Sequence, residues 1–261
     1  MFETIELNES GARATITLNR PDRLNAFNKT MHREFQQALE SVANNDSLRV
    51  LVITGAGRGF CAGQDLGERQ PSENSKPDLG ETLENGYNKS LRLLHALKIP
   101  VVAAVNGVAA GAGAGIALNC DLVLAKKSAR FIQAFSNIGL IPDSGMTWHL
   151  PRLIGSARAR AIALLGTPVD AETAEKWGMI YRSVADESFD QELESLVDNL
   201  AGRPTVALGL IKDAMQKSWS NSLDEQLDLE RDYQRIAGLT RDFAEGVTAF
   251  SEKRPPNFEG R

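Results

Sequence analysis

In the segment Ile138-Gly139-Leu140-Ile141-Pro142-Asp143-Ser144-Gly145, one carboxylate, that of Asp143, stands among apolar residues, glycines and a serine. An acid in such surroundings is a candidate proton carrier. Upstream, the apolar run Val101-Val102-Ala103-Ala104-Val105 passes through Asn106-Gly107 into Val108-Ala109-Ala110-Gly111-Ala112-Gly113-Ala114-Gly115-Ile116-Ala117-Leu118. This reads as a buried strand leading through small residues to a helix start, where backbone N–H groups are free to meet negative charge. A third segment, Gly59-Phe60-Cys61-Ala62-Gly63-Gln64-Asp65-Leu66, follows a further apolar strand and offers a second backbone donor. Two backbone donors and one carboxylate are the parts of a site that stabilises an enolate.

Other chemistries find less support. A dinucleotide-binding fingerprint would need glycine where Ile116 stands, and Asp121 precedes its strand instead of following it. Close packing of a helix on a sheet is the structural alternative for the glycine run. His32, His95 and His149 have no cysteine or carboxylate at metal-ligand spacing, so no metal is expected. Ser144 is not set in a Gly-x-Ser-x-Gly elbow, which argues against a serine hydrolase. A structural role for Asp143 also exists, as the cap of a helix starting near Ser144. Arg23 and Lys29 are either solvated charges or contacts for phosphate groups.

The elements that must hold these residues follow from periodicity. Ala14, Ile16 and Leu18 alternate as in a half-buried strand, and Asn19-Arg20-Pro21-Asp22 breaks it. Met31, Phe35, Ala38, Leu39 and Val42 recur at helical spacing, predicting a helix to about Ala43 with Asn28 as its N-cap. Further strands are expected at Val50–Thr54, Val101–Val105, Asp121–Ala125 and Arg130–Ile132, and a helix over Leu83–Leu97. Strands alternating with helices favour an α/β core with right-handed crossovers. Beyond Pro142 the chain is expected to be mainly helical, over Ser156–Leu165, Ala171–Trp177, Phe189–Leu200, Thr205–Lys217, Leu223–Ala237 and Thr240–Phe250. The polar stretch from Glu68 to Asp78 reads as a mobile loop, and the Glu252–Arg261 tail as poorly ordered.

The 261 residues, 42% hydrophobic and 24% charged, suffice for a substantial core. A net charge of −5 argues against a nucleic-acid or anionic-membrane partner. No apolar run reaches the roughly 18 to 20 residues that span a bilayer. Cys61 and Cys120 lie in separate apolar segments, and no signal or transit pattern precedes the first strand, so a reducing cytoplasm is the expected compartment.

Several ordered motifs carry a resemblance. Leu18-Asn19-Arg20-Pro21 with Leu24-Asn25-Ala26, then Gly59 to Leu66, Ala104-Val105-Asn106-Gly107 with its glycine run, Cys120-Asp121 and Gly139-Leu140-Ile141-Pro142 resemble the enoyl-CoA hydratase/isomerase, or crotonase, family over nearly the whole chain. The resemblance implies an α/β fold whose ββα repeats form a spiral core over residues 1–200, followed by a C-terminal helical trimerisation region over 201–261. It implies that the backbone N–H groups of Gln64 and Ala112 hold a thioester oxygen. Arg23, Leu24, Ala26, Ala62, Asp65, Leu66 and Phe135 would bind the substrate, with Trp148 and Tyr87 as further candidate apolar walls.

Hydratases of the family activate water with two glutamates. Their positions here are Gly115 and Phe135, so hydration is not expected, and Asp143 remains as the acid. The stretches Thr54 to Leu66, Asn106 to Ala114, Gly139 to Asp143 and Leu227 to Arg235 are similar to the branch that converts 1,2-epoxyphenylacetyl-CoA to an oxepin in phenylacetate catabolism. What this implies is an acyl-CoA isomerase with CoA as part of the substrate and no other cofactor. It would form a homotrimer or hexamer and could meet other enzymes of phenylacetate breakdown. Three alternatives stay open: a Δ3,Δ2-enoyl-CoA isomerase, an aryl-CoA hydrolase or dehalogenase with Asp143 as nucleophile, and a non-catalytic RNA-binding or scaffold member of the fold.

Overall fold

Leu51 and Ile53 enter one apolar cluster, whereas Val50 and Val52 enter another. Val101, Ala103 and Val105 likewise join the first cluster, and Val102 and Ala104 the second. Successive side chains of a strand face opposite sides, so a strand apolar at every position must be covered on both faces. The computed structural model, which describes residues 2–69 and 78–261, shows what covers them. Most of the loop expected over 68–78 lies outside the described residues.

Among the described residues the strands are β1 (Ile5–Ser10), β2 (Arg13–Leu18), β3 (Val50–Gly55), β4 (Gly59–Cys61), β5 (Val101–Val105), β6 (Val108–Ala110), β7 (Leu122–Lys126), β8 (Arg130–Ile132), β9 (Val169–Asp170) and β10 (Arg182–Val184). They form two sheets, ordered β1-β2-β3-β5-β7-β10 and β4-β6-β8-β9. From β2 to β10 the larger sheet is parallel, and β4, β6 and β8 are parallel in the smaller one. Consecutive strand pairs β3–β4, β5–β6 and β7–β8 each give one strand to either sheet before the chain turns helical. That is the ββα spiral the resemblance implies.

Helices α1 (Lys29–Ala43), α2 (Leu79–Leu83), α3 (Lys89–Ala96) and α4 (Ala112–Leu118) belong to this spiral. After β8 come α5 (Met146–Ile154), α6 (Ser156–Leu165), α7 (Ala171–Lys176), α8 (Phe189–Ala201), α9 (Thr205–Lys217), α10 (Leu223–Ala237) and α11 (Arg241–Glu252). Phe189 and Val197 of α8 complete the second cluster, while α1 and α3 close the first. Asn28 caps α1 as expected, its side chain accepting from Met31 N–H at 2.8 Å.

Three expectations need correction. The helix expected over Leu83–Leu97 is broken by a π-turn at Glu84–Asn88, where Gly86 passes the His32 ring so closely that a Cβ would stand 2.9 Å from it. Gln36 of α1 donates to the carbonyls of Asn85 and Gly86 and so ties this turn to α1. The cap role for Asp143 does not hold, because α5 begins at Met146 with Gly145 before it and no side-chain cap. The C-terminal tail is tied down: buried Asp242 accepts from the N–H groups of Glu259 and Gly260 at 2.6 and 2.8 Å, and Arg49 donates to Phe258 O at 3.0 Å. The tail's polar composition hid these anchors, which lie far away in sequence.

Candidate active site

The loop after β4 and the start of α4 meet backbone to backbone. A Cβ on Gly113 would lie 2.2 Å from Cys61 O, and one on Gly63 would lie 2.9 Å from Ala110 O and 3.2 Å from Ala112 N. Only glycine permits this approach, and Gly63 also has a φ of +88°. Ala112 is the first residue of α4, so its N–H has no carbonyl four residues back within the helix. The left-handed conformation falls on Gly111 instead, which leaves Ala112 an ordinary backbone.

Gln64 is fixed by a parallel bridge to Phe27. Phe27 N–H donates to Gly63 O at 2.7 Å and Asp65 N–H to Phe27 O at 2.9 Å, which turns the N–H of residue 64 itself away from Phe27. Its side chain is held at both ends, by Phe27 O at 2.9 Å and by His32 Nε2 at 3.1 Å. His32 in turn packs between Phe27 and Tyr87, with ring centroids at 5.0 and 4.5 Å.

Asn25 and Arg20 fasten the same loop. Fully buried Asn25 donates to the carbonyls of Ala56, Gly59 and Phe60. Arg20 pairs with Asp65 at 2.9 Å and also donates to Ala26 O. The Arg20 hydrogen bond holds the Asp65 carboxyl below the usual carboxylate range, and Gly67 N–H adds to it. Cys61 donates to Asn25 O at 3.2 Å, and burial pushes its thiol up to about 12, so it is protonated and not a nucleophile at neutral pH.

Asp143 stands in the segment before α5, whose Ser144 packs against Gly115 of α4. Ser144, buried and left-handed with φ of 52°, donates its hydroxyl to Asp143 Oδ1 at 2.8 Å. Its side chain fills the space beside Gly115, where a Cβ would come 2.5 Å from Ser144 Cβ. Asn119 then uses every hydrogen-bonding position of its amide: Nδ2 donates to Gly115 O at 2.7 Å and Ser144 O at 3.0 Å, and Oδ1 accepts from His95 Nε2 at 2.7 Å and His149 Nε2 at 2.9 Å. Burial, with the neighbouring His95 and Arg152, pushes the His149 ring down to about 4, which keeps it neutral at physiological pH.

The residues expected at the site therefore fall into groups. Gln64, Ala112 and Ala62 lie at the loop and helix junction, and Phe135 stands over it, its Cζ 3.6 Å from where a Gly111 Cβ would be. Leu24 and Ala26 line the turn that receives the loop, with Leu24 O accepting from Ala62 N–H at 2.9 Å. Arg23 is exposed on a 3-10 turn and Leu66 is exposed on the next one, while the Asp65 carboxylate is taken up by Arg20. Tyr87 is buried in the His32 cluster, and Trp148 packs edge-on against Trp219 with Arg152 above it. The contacts of His32 and Asn119 are made to groups distant in sequence, for which spacing carries no signal, and the bond from Ser144 to its neighbour Asp143 depends on a left-handed backbone that residue type does not announce.

A model of the enoyl-CoA hydratase/isomerase family matches residues 8–261. The chain is 53% identical over 248 residues, covering 95% of each chain, to the 1,2-epoxyphenylacetyl-CoA isomerase of Escherichia coli (strain K12). It is 43% identical over 260 residues, covering 100% of this chain and 99% of the relative, to a probable enoyl-CoA hydratase of Rhodobacter capsulatus. A solved putative enoyl-CoA hydratase/isomerase from Mycobacterium abscessus superposes with a TM-score of 0.93 at 38% identity, covering 98% of this chain and 100% of that one. By the family match along nearly its whole length, its relatives and its two-sheet spiral, this chain is an enzyme of the enoyl-CoA hydratase/isomerase family with the crotonase fold.

Proposed function

We propose that the chain is an acyl-CoA isomerase whose substrate is 1,2-epoxyphenylacetyl-CoA. The N–H groups of Gln64 and Ala112 hold the thioester oxygen and stabilise the charge that develops there as the enolate forms. Asp143 carries the proton between substrate atoms, and the strained epoxide ring expands to the seven-membered oxepin without gain or loss of atoms. CoA enters as part of the substrate, and no other cofactor belongs to this reading. The aryl group is supported by the E. coli relative's activity and by Phe135 beside the Gly111–Ala112 turn.

The observation that carries the proposal is the closure of the water-activating positions around a retained acid. Gly115 has no side chain, its place is taken by Ser144, Phe135 cannot move a proton, and Ser144 is hydrogen-bonded to Asp143. A single acid suits proton relocation better than addition of water. The same proton shuttle gives slow Δ3 to Δ2 isomerisation of unsaturated acyl-CoA. For the assembly we propose a homotrimer or hexamer, built on the exposed apolar residues of the C-terminal helices.

Mass and ultraviolet spectra of the products decide the matter. The epoxide should give a conjugated isomer of unchanged mass, while crotonyl-CoA gains water slowly. Asp143→Asn should keep the fold and thioester binding and lose at least about a hundredfold in turnover. Rapid hydration of crotonyl-CoA with an untouched epoxide overturns the reading. Solvent oxygen entering the Asp143 carboxylate during turnover would establish a nucleophile in place of a proton carrier.

A further inference from the structure

Ser144 combines three features that packing alone leaves unexplained. It is 2% exposed, its φ of 52° is one that L side chains rarely adopt, and its hydroxyl is spent on the carboxylate of the preceding residue. Glycine would take that backbone without steric cost and already does so at the next position, where Gly145 has φ of 74°. A left-handed serine is held here by its surroundings. Asn119 grips the Ser144 carbonyl and the Gly115 carbonyl with one amide group, and Gly115 leaves room for the serine's Cβ. His95 and His149 hold the other end of that amide.

We infer that Ser144 is a positioning residue for Asp143, and that Asn119, backed by the two histidines, is the clamp that sets it. The clamp fixes the peptide after Ser144, the peptide fixes the direction of the serine side chain, and the hydroxyl fixes the rotation of the carboxylate through Oδ1. Neither Ser144 nor Asn119 is given any contact with substrate. A proton carrier gains from such support because its transfer geometry must be held closely through two steps, removal and return. The inference rests on the reading of Asp143 as the proton carrier.

The test compares Ser144→Gly and Ser144→Ala with Asp143→Asn and with the double variant Asp143→Asn, Ser144→Gly, using the epoxide and a 3-enoyl-CoA as substrates. Binding of phenylacetyl-CoA serves as the check on an intact site. Ser144→Gly is the discriminating change, since it removes the hydroxyl while easing the backbone. Both serine variants should lose roughly ten- to hundredfold in kcat, the scale of one hydrogen bond to a charged group. They should bind phenylacetyl-CoA like the wild type, and the acid limb of their pH profile should move to higher pH, because a carboxylate deprived of a donor keeps its proton longer. In the Asp143→Asn background, Ser144→Gly should have no further effect. If Asp143→Asn is inactive while both serine variants match wild-type kcat and pH profile, the positioning inference alone is overturned. If Asp143→Asn turns over normally, or the wild type acts on neither substrate, the inference falls together with the reading beneath it.

Discussion

Gly115 and Ser144 share one space: a Cβ at position 115 would stand 2.5 Å from Ser144 Cβ and 3.3 Å from its hydroxyl oxygen. The contact leaves no room for a side chain at 115, where the family resemblance implies that a hydratase would carry a glutamate. Any side chain at 115 displaces Ser144, and with it the hydrogen bond to Asp143 at 2.8 Å. The bare backbone at 115 and the hydrogen bond that Ser144 gives Asp143 are thus parts of a single packing arrangement.

Gly115→Ala should therefore destabilise the protein by about 1–3 kcal/mol, the usual cost of overpacking a filled core. The midpoint of urea denaturation measures it. Turnover should fall as well, because Ser144 must move. An unchanged midpoint would mean that the segment before α5 yields freely.

Stability should depend on His149 in mildly acid solution. Folded, its ring takes a proton only near pH 4, against an ordinary value of 6.5. Between those values the unfolded chain binds more protons, so stability rises with pH through that window and is lost as pH falls from 6.5 towards 4. The contribution is up to about 3 kcal/mol. As pH falls across this range, thermal melts should show the wild type losing stability relative to His149→Gln; parallel curves would remove His149 as the cause.

Neither cysteine should react in the folded protein. Burial raises both thiols well above their ordinary range, with Asp121 adding to the effect at Cys120. Labelling with iodoacetamide at pH 8 should leave the native chain unmodified and modify two cysteines after denaturation. Rapid single labelling of the native chain would show that one thiol is reached by solvent.

The C-terminal helices and the turn between the last two expose Leu223, Leu227, Ile236, Leu239 and Phe250, and no residue of α10 is buried within the chain. So much exposed apolar surface favours association. Sedimentation at micromolar concentration should give a trimer or a hexamer. A monomer under those conditions would rule out the proposed assembly.

Much of this architecture was legible in the amino-acid order. The five apolar residues at Val101–Val105 read as a strand covered on both sides, and Met31, Phe35, Ala38, Leu39 and Val42 as one helix face, because these patterns reflect local geometry. The motifs around Gly63, Gly113 and Asp143 likewise marked the parts of the proposed site. Tertiary structure alone decided how those parts are held. The π-turn at Gly86 packs against a histidine on another helix, the tail is anchored by Arg49 and Asp242, and Ser144 is held by Asn119 with His95 and His149. Each is a contact between groups far apart in the chain. Periodicity records which face of an element is apolar; it carries no record of which distant polar atom a buried amide or hydroxyl will meet once the two sheets close.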